Sequence, residues 1–244
     1  MKTHAELLPV INQLKEQFER NGFAIAEGIY STEEIDAILY KISAADNSGQ
    51  AFRKTADLFA IRRFLHEVPA VKELVFNKPL ESLIHDLFGH DYFVVKSIYF
   101  DKPALSNWFV SYHQDLTIAL RRKKETPGFI NWTVKQDAVA VQPPLEILEN
   151  NFTLRIHLDD TDEDNGALKV IPGSHVKGIY RPENIDWAAE QEITCVVPKG
   201  GVMIMKPLLL HASGKTTGNR KRRVIHIEFT NTMLPPGLEW AEIL

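Results

Sequence analysis

The spacing of apolar residues predicts that the first third of the chain is mainly helical. From Leu7 to Phe18, apolar residues recur every three or four positions, as on one face of a helix, and an Asn-Gly pair ends the pattern. Ser31 begins the next helix as an N-cap followed by acidic first-turn residues. A third segment is interrupted near Pro79 and closed by Gly89. The predicted helices cover residues 5–20, about 32–42 and about 68–87.

The rest of the chain has the pattern of a β protein. Short runs rich in Val, Ile, Phe and Tyr are separated by Pro, Gly, Asn and Asp. Seven such runs predict strands: YFVVKSIYF, NWFVSY, FTLRIHL, ALKVI, ITCVV, GVMIM and RVIHIEF. Their number and spacing favour a sandwich or barrel, so the fold class is mainly β with α. FTLRIHL alternates, with Arg155 and His157 on its polar face, and this face either lines a cavity or meets water.

Residues 116–151 form the least regular part of the pattern. They contain the basic run Arg121 to Lys124, Trp132 and a Pro-Pro pair. Because a loop of this length in a compact domain is usually functional or disordered, we expect a lid-like insertion over a pocket. We interpret the basic run as a solvated surface, with an anion site as the alternative.

Composition narrows the class of protein. A chain of 244 residues with 44% hydrophobic and 25% charged residues predicts a single globular domain over residues 1–244, and its net charge of −4 argues against nucleic-acid binding. The single cysteine, Cys195, lies in the apolar run ITCVV and is expected to be a buried, inert thiol, which suits a reducing compartment. The N-terminus lacks the apolar core of a signal peptide, and no apolar stretch approaches the roughly 18 residues of a membrane span. We therefore expect a cytoplasmic protein without a membrane partner.

The run WFVSYHQD ends in a pair of potential metal ligands. His113 and Asp115 are two positions apart, which in extended chain places both side chains on one face. Alone, such a pair is more often an ordinary His and Asp at a strand end. His211, about a hundred residues later, is a third candidate that completes a 2-His-1-carboxylate triad. Such a triad leaves three octahedral positions open, as non-haem Fe(II) oxygenases require, whereas zinc is more often four-coordinate with one open position.

Ser213 and Arg222, which follow His211 in the sequence, suggest that the protein binds an anionic co-substrate. Ser213 lies two positions on, and Arg222 lies eleven positions on, at the start of the last apolar strand. A guanidinium there can clamp a carboxylate bidentately. Since basic residues surround Arg222, the alternative is a solvated cluster, and strand alternation separates Arg222 from Arg223 without indicating which of them points inward.

Together these motifs resemble the phytanoyl-CoA dioxygenase-like branch of the Fe(II)/2-oxoglutarate-dependent oxygenases. His113-Gln-Asp115 resembles the H-Q-D metal motif of that family, and NGALKVIPGSH (residues 165–175) is similar to its N-G-x-L-x-x-x-P-G-S-H signature. The HAS triplet with Arg222 matches the distal His, Ser and Arg, and FERNGFAIAEGIYSTEEIDAI resembles the start of the family. The resemblance implies a double-stranded β-helix, a cupin-like jelly-roll barrel with N-terminal helices packed on one sheet.

The resemblance also implies roles for individual residues. Fe(II) would be held by His113, Asp115 and His211, the distal carboxylate of 2-oxoglutarate would be bound by Arg222 and Ser213, and the co-substrate pocket would be lined by Ile98 and Lys96. Arg155 departs from the family, because relatives place there an aromatic residue that helps to enclose the co-substrate. Arg155 is therefore expected to contact either the substrate or the co-substrate. His157 and Trp132 are further expected substrate contacts.

The implied reaction consumes O2 and 2-oxoglutarate, releases succinate and CO2, and hydroxylates an unactivated C–H bond. Arg155 and His157 favour a small polar or carboxylated metabolite as the substrate. Asp115 favours hydroxylation over halogenation, because halogenating relatives replace this carboxylate with a small residue. The alternatives are an acyl-CoA 2-hydroxylase of the same family that uses the basic run, a cupin-like metal-dependent isomerase or hydrolase, and a jelly-roll binding module without catalysis.

Overall fold

A computed structural model describes residues 4–46, 49, 51–135 and 138–244 of the protein. Its helices are α1 (His4–Asn21), α2 (Thr32–Ser43), α3 (Phe64–Glu67), α4 (Lys72–Val75), α5 (Lys78–Phe88) and α6 (Leu145–Glu149). Its strands are β1 (Phe23–Ala26), β2 (Phe52–Lys54), β3 (Phe59–Arg62), β4 (Phe93–Lys102), β5 (Val110–His113), β6 (Ile118–Leu120), β7 (Ile130–Lys135), β8 (Ala138–Gln142), β9 (Phe152–His157), β10 (Leu168–Val170), β11 (Ile193–Cys195), β12 (Val202–Met205), β13 (His211–Ser213) and β14 (Arg222–Thr230). Each of the seven predicted runs contains a strand, as expected. No helix among the described residues combines the length and the apolar character needed to cross a bilayer.

The first two helices lie where the sequence predicts them. α2 begins with a capping box, in which the Ser31 hydroxyl accepts the Glu34 N–H at 3.2 Å and the Glu34 carboxylate accepts the Ser31 N–H at 2.8 Å. Gly22 ends α1 with a φ of 82°, a conformation that favours glycine. Phe18 of α1 is buried in the core, whereas the side chain of Leu7 lies outside the described part of the chain.

The third helical segment differs from the prediction. It is divided into α4, which ends at Val75, and α5, which begins at Lys78, so the break precedes Pro79. Asn77 caps α5 by accepting the N–H of Leu80 at 3.0 Å. Pro79 lies in the first turn, where its missing N–H has no helical partner to lose. The proline therefore starts a helix instead of interrupting one.

The core of the molecule is a jelly roll of antiparallel sheets. The larger sheet has the order β1-β12-β9-β14-β4-β3-β2, and the smaller sheet has the order β11-β10-β13-β5. Met203 of the larger sheet packs with Leu168 and Cys195 of the smaller one, so the two sheets face each other. Ile225 and Ile156 on the opposite face of the larger sheet pack against the helices. The predicted fold class, with helices on one sheet of a barrel, is thus confirmed.

Residues 116–151 are more regular than predicted, apart from residues 136 and 137, which lie outside the described part. The strands β6, β8 and β7 form an antiparallel sheet in that order, followed by α6. Ile118 and Val141 of this sheet pack with Ile147 of α6 and with Trp240 near the C-terminus. The strands are short, and the pairing of β7 with β8 shifts register after Ile130, which explains why no clear alternation marks them in the sequence.

Candidate active site

The pairing of β5 with β13 brings the predicted metal ligands together. His211 lies directly opposite His113 in the ladder, with their ring centroids 4.3 Å apart. Asp115 follows β5, and its two carboxylate oxygens lie 3.8 Å from His113 Nε2 and 3.9 Å from His211 Nε2. One ligand atom from each residue lies within 4.8 Å of the other two, which is close enough for a shared metal ion. His113, Asp115 and His211 therefore form a 2-His-1-carboxylate group that could hold a metal ion.

Backbone carbonyl groups fix the orientation of both histidine rings. His113 Nδ1 lies 2.8 Å from the carbonyl oxygen of Ser111, and His211 Nδ1 lies 2.8 Å from that of Leu209. Because a carbonyl oxygen only accepts hydrogen bonds, each Nδ1 carries the proton and each Nε2 presents its lone pair towards Asp115. The rings are therefore held in the tautomer that binds a metal through Nε2.

Gln114, the middle residue of the H-Q-D motif, anchors the metal-binding strand. Its side-chain nitrogen donates to the carbonyl oxygens of Gly178 at 2.8 Å and Leu208 at 2.6 Å, and its oxygen accepts the N–H of Tyr180 at 2.8 Å. Leu208 lies three residues before His211. One buried amide thus connects the two segments that carry the metal ligands.

The charges in the site favour the forms that bind metal. Burial raises the pKa of Asp115, but attraction to His211, Lys96 and His226 outweighs it and brings the pKa down to about 2. Burial lowers the pKa of His211 to about 4. Attraction to Asp115 raises this pKa, and repulsion by His113 lowers it further. At neutral pH the carboxylate is ionised and the imidazole is neutral, as metal coordination requires.

Arg222 provides an anion-binding group in the same cavity. It lies opposite Lys102 in the ladder between β14 and β4, with its side chain inside the barrel. Its Nη2 donates to Ser213 Oγ at 3.3 Å, and that hydroxyl donates to the carbonyl oxygen of Gly166 at 3.1 Å. The other guanidinium nitrogens, Nε and Nη1, are buried without a hydrogen-bond partner. Burial, and then the repulsion of Arg155, lowers the pKa of Arg222 to about 9, so the group remains charged at neutral pH.

The triad and Arg222 share one cavity of about 170 Å³. Besides the triad, Ser213 and Arg222, the cavity is lined by Lys96, Ile98, Phe100, Trp108, Val110, Arg155, Leu168, Ala212 and His226. This volume is smaller than the roughly 300–1,000 Å³ of pockets for drug-sized ligands. The unpartnered N–H groups of Arg222 and the volume together fit a small organic anion such as 2-oxoglutarate.

The polar face of β9 points into the barrel. Arg155 and His157 are both buried, so this face does not meet water, and its Arg155 lines the cavity. His157 does not line the cavity. Its Nδ1 lies 2.8 Å from Thr161 Oγ1, and its Nε2 is buried without a hydrogen-bond partner. Trp132 also lies away from the cavity, where it packs against the apolar cluster of the sheet formed by β6, β8 and β7. The structure therefore brings Arg155, but neither His157 nor Trp132, to the cavity wall.

Sequence reasoning missed two ionisable residues on the inward face of β14, His226 in the cavity wall and its hydrogen-bond partner Glu228. His226 and Glu228 follow Arg222 on β14 in steps of two and share its inward face. The alternation of RRVIHIEF carries this signal, because a strand that points Arg222 inward also points these two residues inward. The signal could be used only once the inward face of β14 was known.

The basic run lies on the surface. Arg121 and Arg122 pair with Glu239 at 3.3 and 3.4 Å, and Lys123 pairs with Glu125 at 2.8 Å. All of these side chains are exposed. This arrangement agrees with the interpretation of the run as a solvated surface.

Solved structures share this fold. The epimerase SnoN from nogalamycin biosynthesis, solved in complex with Fe3+, alpha-ketoglutarate and nogalamycin RO, has a TM-score of 0.67 and 12% identity, and the match covers 94% of this chain and 91% of that chain. EctD from S. alaskensis, solved with 2-oxoglutarate and 5-hydroxyectoine, has a TM-score of 0.67 and 17% identity, with 89% and 75% of the two chains covered. At these identities the likeness establishes the fold alone.

Sequence comparison identifies the family. Among curated proteins, an uncharacterized protein of Mycobacterium tuberculosis, Rv1501, is 26% identical over 87 residues, which are 36% of this chain and only 31% of that relative. The sequence model of the family described as phytanoyl-CoA dioxygenase (PhyH) matches residues 18–224, which include the triad, Ser213 and Arg222. Because this match spans most of the chain, the protein belongs to the phytanoyl-CoA dioxygenase (PhyH) family.

Proposed function

We propose that the protein is an Fe(II)- and 2-oxoglutarate-dependent dioxygenase that hydroxylates an unactivated C–H bond of a small polar or carboxylated molecule. One observation carries the proposal: a 2-His-1-carboxylate triad and a buried arginine with two unpartnered nitrogens lie in the same cavity. When bound, iron and 2-oxoglutarate would supply the oxidising chemistry, with consumption of O2 and release of succinate and CO2. The remaining task of the protein is to bind, orient and enclose the reactants.

The triad would hold the metal on one face. His113 and His211 would bind through Nε2, since their Nδ1 atoms are committed to backbone carbonyl groups, and Asp115 would supply the carboxylate. The metal held by these three residues would supply the chemistry through which the co-substrate and O2 react. Asp115 supplies the carboxylate ligand that halogenating relatives lack. Its presence supports hydroxylation over halogenation, because it leaves no vacant ligand position for a chloride ion.

Arg222 and Ser213 would bind the distal carboxylate of 2-oxoglutarate. A buried guanidinium with two unpartnered N–H groups is costly, and a carboxylate that accepts both removes that cost. The clamp would therefore select a dicarboxylic 2-oxo acid and set the direction in which it approaches the metal. A cupin-like metal-dependent isomerase or hydrolase needs the three ligands but has no use for this clamp.

The substrate would approach from the mouth of the cavity, since about 170 Å³ leaves little room beside a bound co-substrate. The small volume of the cavity and polar wall groups such as His226 support a small polar or carboxylated substrate over a long apolar one. Contacts of His157 and Trp132 with the substrate remain predictions. EctD, solved with the hydroxylated compound 5-hydroxyectoine, supports hydroxylation, whereas the epimerase SnoN marks epimerisation as the second candidate reaction.

Anaerobic titration tests the proposal. Fe(II) and 2-oxoglutarate together, but neither alone, should produce a weak visible charge-transfer band. Arg222→Ala should weaken 2-oxoglutarate binding by at least about 30-fold, because truncating one partner of a buried charge pair costs about 2–5 kcal/mol. Arg220→Ala, which removes an exposed arginine from the same cluster, is the matched control. Absence of the band in the wild type, or unchanged affinity in Arg222→Ala, would contradict the proposal.

A metabolite screen for substrate-stimulated succinate release tests the substrate class. Small polar or carboxylated compounds should stimulate release, and incorporation of one 18O atom from 18O2 into the product would distinguish hydroxylation from epimerisation. Stimulation by long apolar compounds alone would exclude the proposed class.

A further inference from the structure

Arg155 is a second buried guanidinium in the cavity that holds the triad, and the charge of the metal ligand Asp115 acts on it. It is 8% exposed, its Nη1 lies 3.2 Å from His226 Nδ1, and its Nε is buried without a partner. We propose that Arg155 binds the carboxylate of the 2-oxo acid that is next to the keto group, called the metal-side carboxylate below. In this proposal His226, Glu228 and Lys96 hold the guanidinium of Arg155 in position. This inference rests on the proposed function and adds a second contact to the co-substrate.

The strand ladder places Arg155 beside the path from Arg222 to the metal. On β14, Arg222 and His226 face inward four residues apart, which is about 13 Å at about 3.3 Å per residue. Arg155 lies opposite His226 on the neighbouring strand β9. A diacid held by Arg222 at one end and by the metal at the other must extend towards the row of Arg155.

The charges inside the barrel support an anion at this position. Lys96 is neutralised by Glu228 at 2.6 Å, but Arg155 and Arg222 form no ion pair with any carboxylate of the described residues. The carboxylate that acts on Arg155 is that of Asp115, which raises its pKa against the larger effect of burial. Lys102 is a further buried cation, and its ammonium group donates to the carbonyl oxygen of Gly214. Asp115 is needed for the metal, so the two guanidinium groups remain without a counter-ion. A dianionic 2-oxo acid supplies one carboxylate for each of them.

A chain of hydrogen bonds orients Arg155. Lys96 Nζ donates to Glu228 Oε1, which lies 3.1 Å from His226 Nε2. Since the carboxylate accepts, His226 carries its proton on Nε2 and leaves Nδ1 free to accept from Arg155 Nη1. One edge of the guanidinium is thus held by His226, and the rest can face the acid. These three residues are positioning residues, because they act through Arg155.

Two 2-oxo acids that share their metal-side end provide the test. 2-Oxobutyrate has the same carboxylate and keto group as 2-oxoglutarate but lacks the distal carboxylate. Anaerobic titration of the Fe(II) protein should show that Arg155→Met weakens binding of both acids by a similar factor of about 10 to 100, as expected for a lost charged hydrogen bond. Arg222→Met should weaken 2-oxoglutarate alone. Glu228→Gln should weaken both acids less than Arg155→Met does and should shift the charge-transfer band.

Controls separate the outcomes. The affinity for Co(II) without any acid should not fall in Arg155→Met, because the variant loses a cation near Asp115 and keeps all three ligands; retained Co(II) binding shows that the variant is folded and its triad intact. Arg155→Lys, which keeps the charge but loses the planar fork, should weaken both acids to an intermediate degree and serves if Arg155→Met does not fold. Unchanged binding of both acids, or weaker binding of 2-oxoglutarate alone, would overturn this inference while leaving the proposed function intact. A wild-type protein that binds neither acid with Fe(II) would overturn both.

Discussion

Asp159 and Arg223 form a bidentate salt bridge at the start of β14. Arg223 Nε lies 2.8 Å from Asp159 Oδ2 and Nη2 lies 2.6 Å from Oδ1, while the Arg223 N–H also donates to Oδ2 at 2.9 Å. Both side chains are largely shielded from solvent. The pair holds Arg223 on the outer face, and because neighbouring residues of a strand alternate, Arg222 points into the barrel.

Removal of this salt bridge should affect both stability and co-substrate binding. Asp159→Asn should lower the free energy of unfolding by about 1–3 kcal/mol, because a shielded, bidentate charge pair is lost. It should also weaken 2-oxoglutarate binding, since the start of β14 carries Arg222. Chemical denaturation and anaerobic titration measure the two effects. Asp36→Asn, at the exposed pair with Lys199, should change stability by less than about 0.5 kcal/mol, and equal effects of both variants would contradict this reasoning.

Loss of His211 should abolish tight metal binding. His211→Ala removes one of three ligands and should weaken Co(II) binding by more than about 100-fold, beyond the effect of removing an outer partner. Co(II) should therefore raise the melting temperature of the wild type but not that of the variant. His90→Ala, at an exposed histidine outside the cavity, should keep the wild-type response. A thermal shift that persists in His211→Ala would indicate that the metal binds elsewhere.

Gly166, the glycine of the N-G signature, leaves no space for a side chain. Its φ is 81°, and a Cβ atom there would lie 2.7 Å from the carbonyl oxygen of Gly214 and 2.7 Å from Lys102 Nζ. Gly28 also has a positive φ, 67°, but a Cβ atom there would meet nothing within 4 Å. Gly28→Ala should therefore cost about 1–2 kcal/mol of stability for backbone strain alone. Gly166→Ala should cost clearly more by urea denaturation, and equal costs would show that the contact is unimportant.

The buried carboxyl of Glu242 should make stability depend on pH. It accepts the hydroxyl and N–H of Ser97 at 2.6 and 3.0 Å. Burial raises its pKa, assisted by Glu228 and opposed by the Ser97 hydrogen bonds and by Arg63. Because the folded-state pKa is raised, the protonated Glu242 stabilises the fold. This stabilisation is complete below the unfolded-state pKa of about 4.3 and is lost as the pH rises through the folded-state pKa.

The wild type should therefore lose stability relative to Glu242→Gln as pH rises from about 4 towards neutrality. Urea denaturation of both proteins across this range gives the difference. A difference that does not change with pH, or that changes in the opposite direction, would show that burial does not control this carboxyl.

Local pattern in the sequence was enough for much of the fold and for the ligand set. The period of two in FTLRIHL placed Arg155 and His157 on one face of a strand, and the spacing of His113 and Asp115 placed both on one face of another. Cys195 in its apolar run is buried as expected, and burial raises its pKa to about 12, against the attraction of Arg155. These features follow from chain geometry between near neighbours and from the preference of apolar side chains for the core.

Contacts between distant segments were decided only by the tertiary structure. His113 and His211 are 98 residues apart, and only the pairing of β5 with β13 makes them opposite neighbours. Alternation separates Arg222 from Arg223, but the bond from Arg223 to Asp159 decides which of them faces the cavity. The physical reason is that strand period is a local property of the backbone, whereas the inward face and the partners of a strand depend on how the two sheets pack.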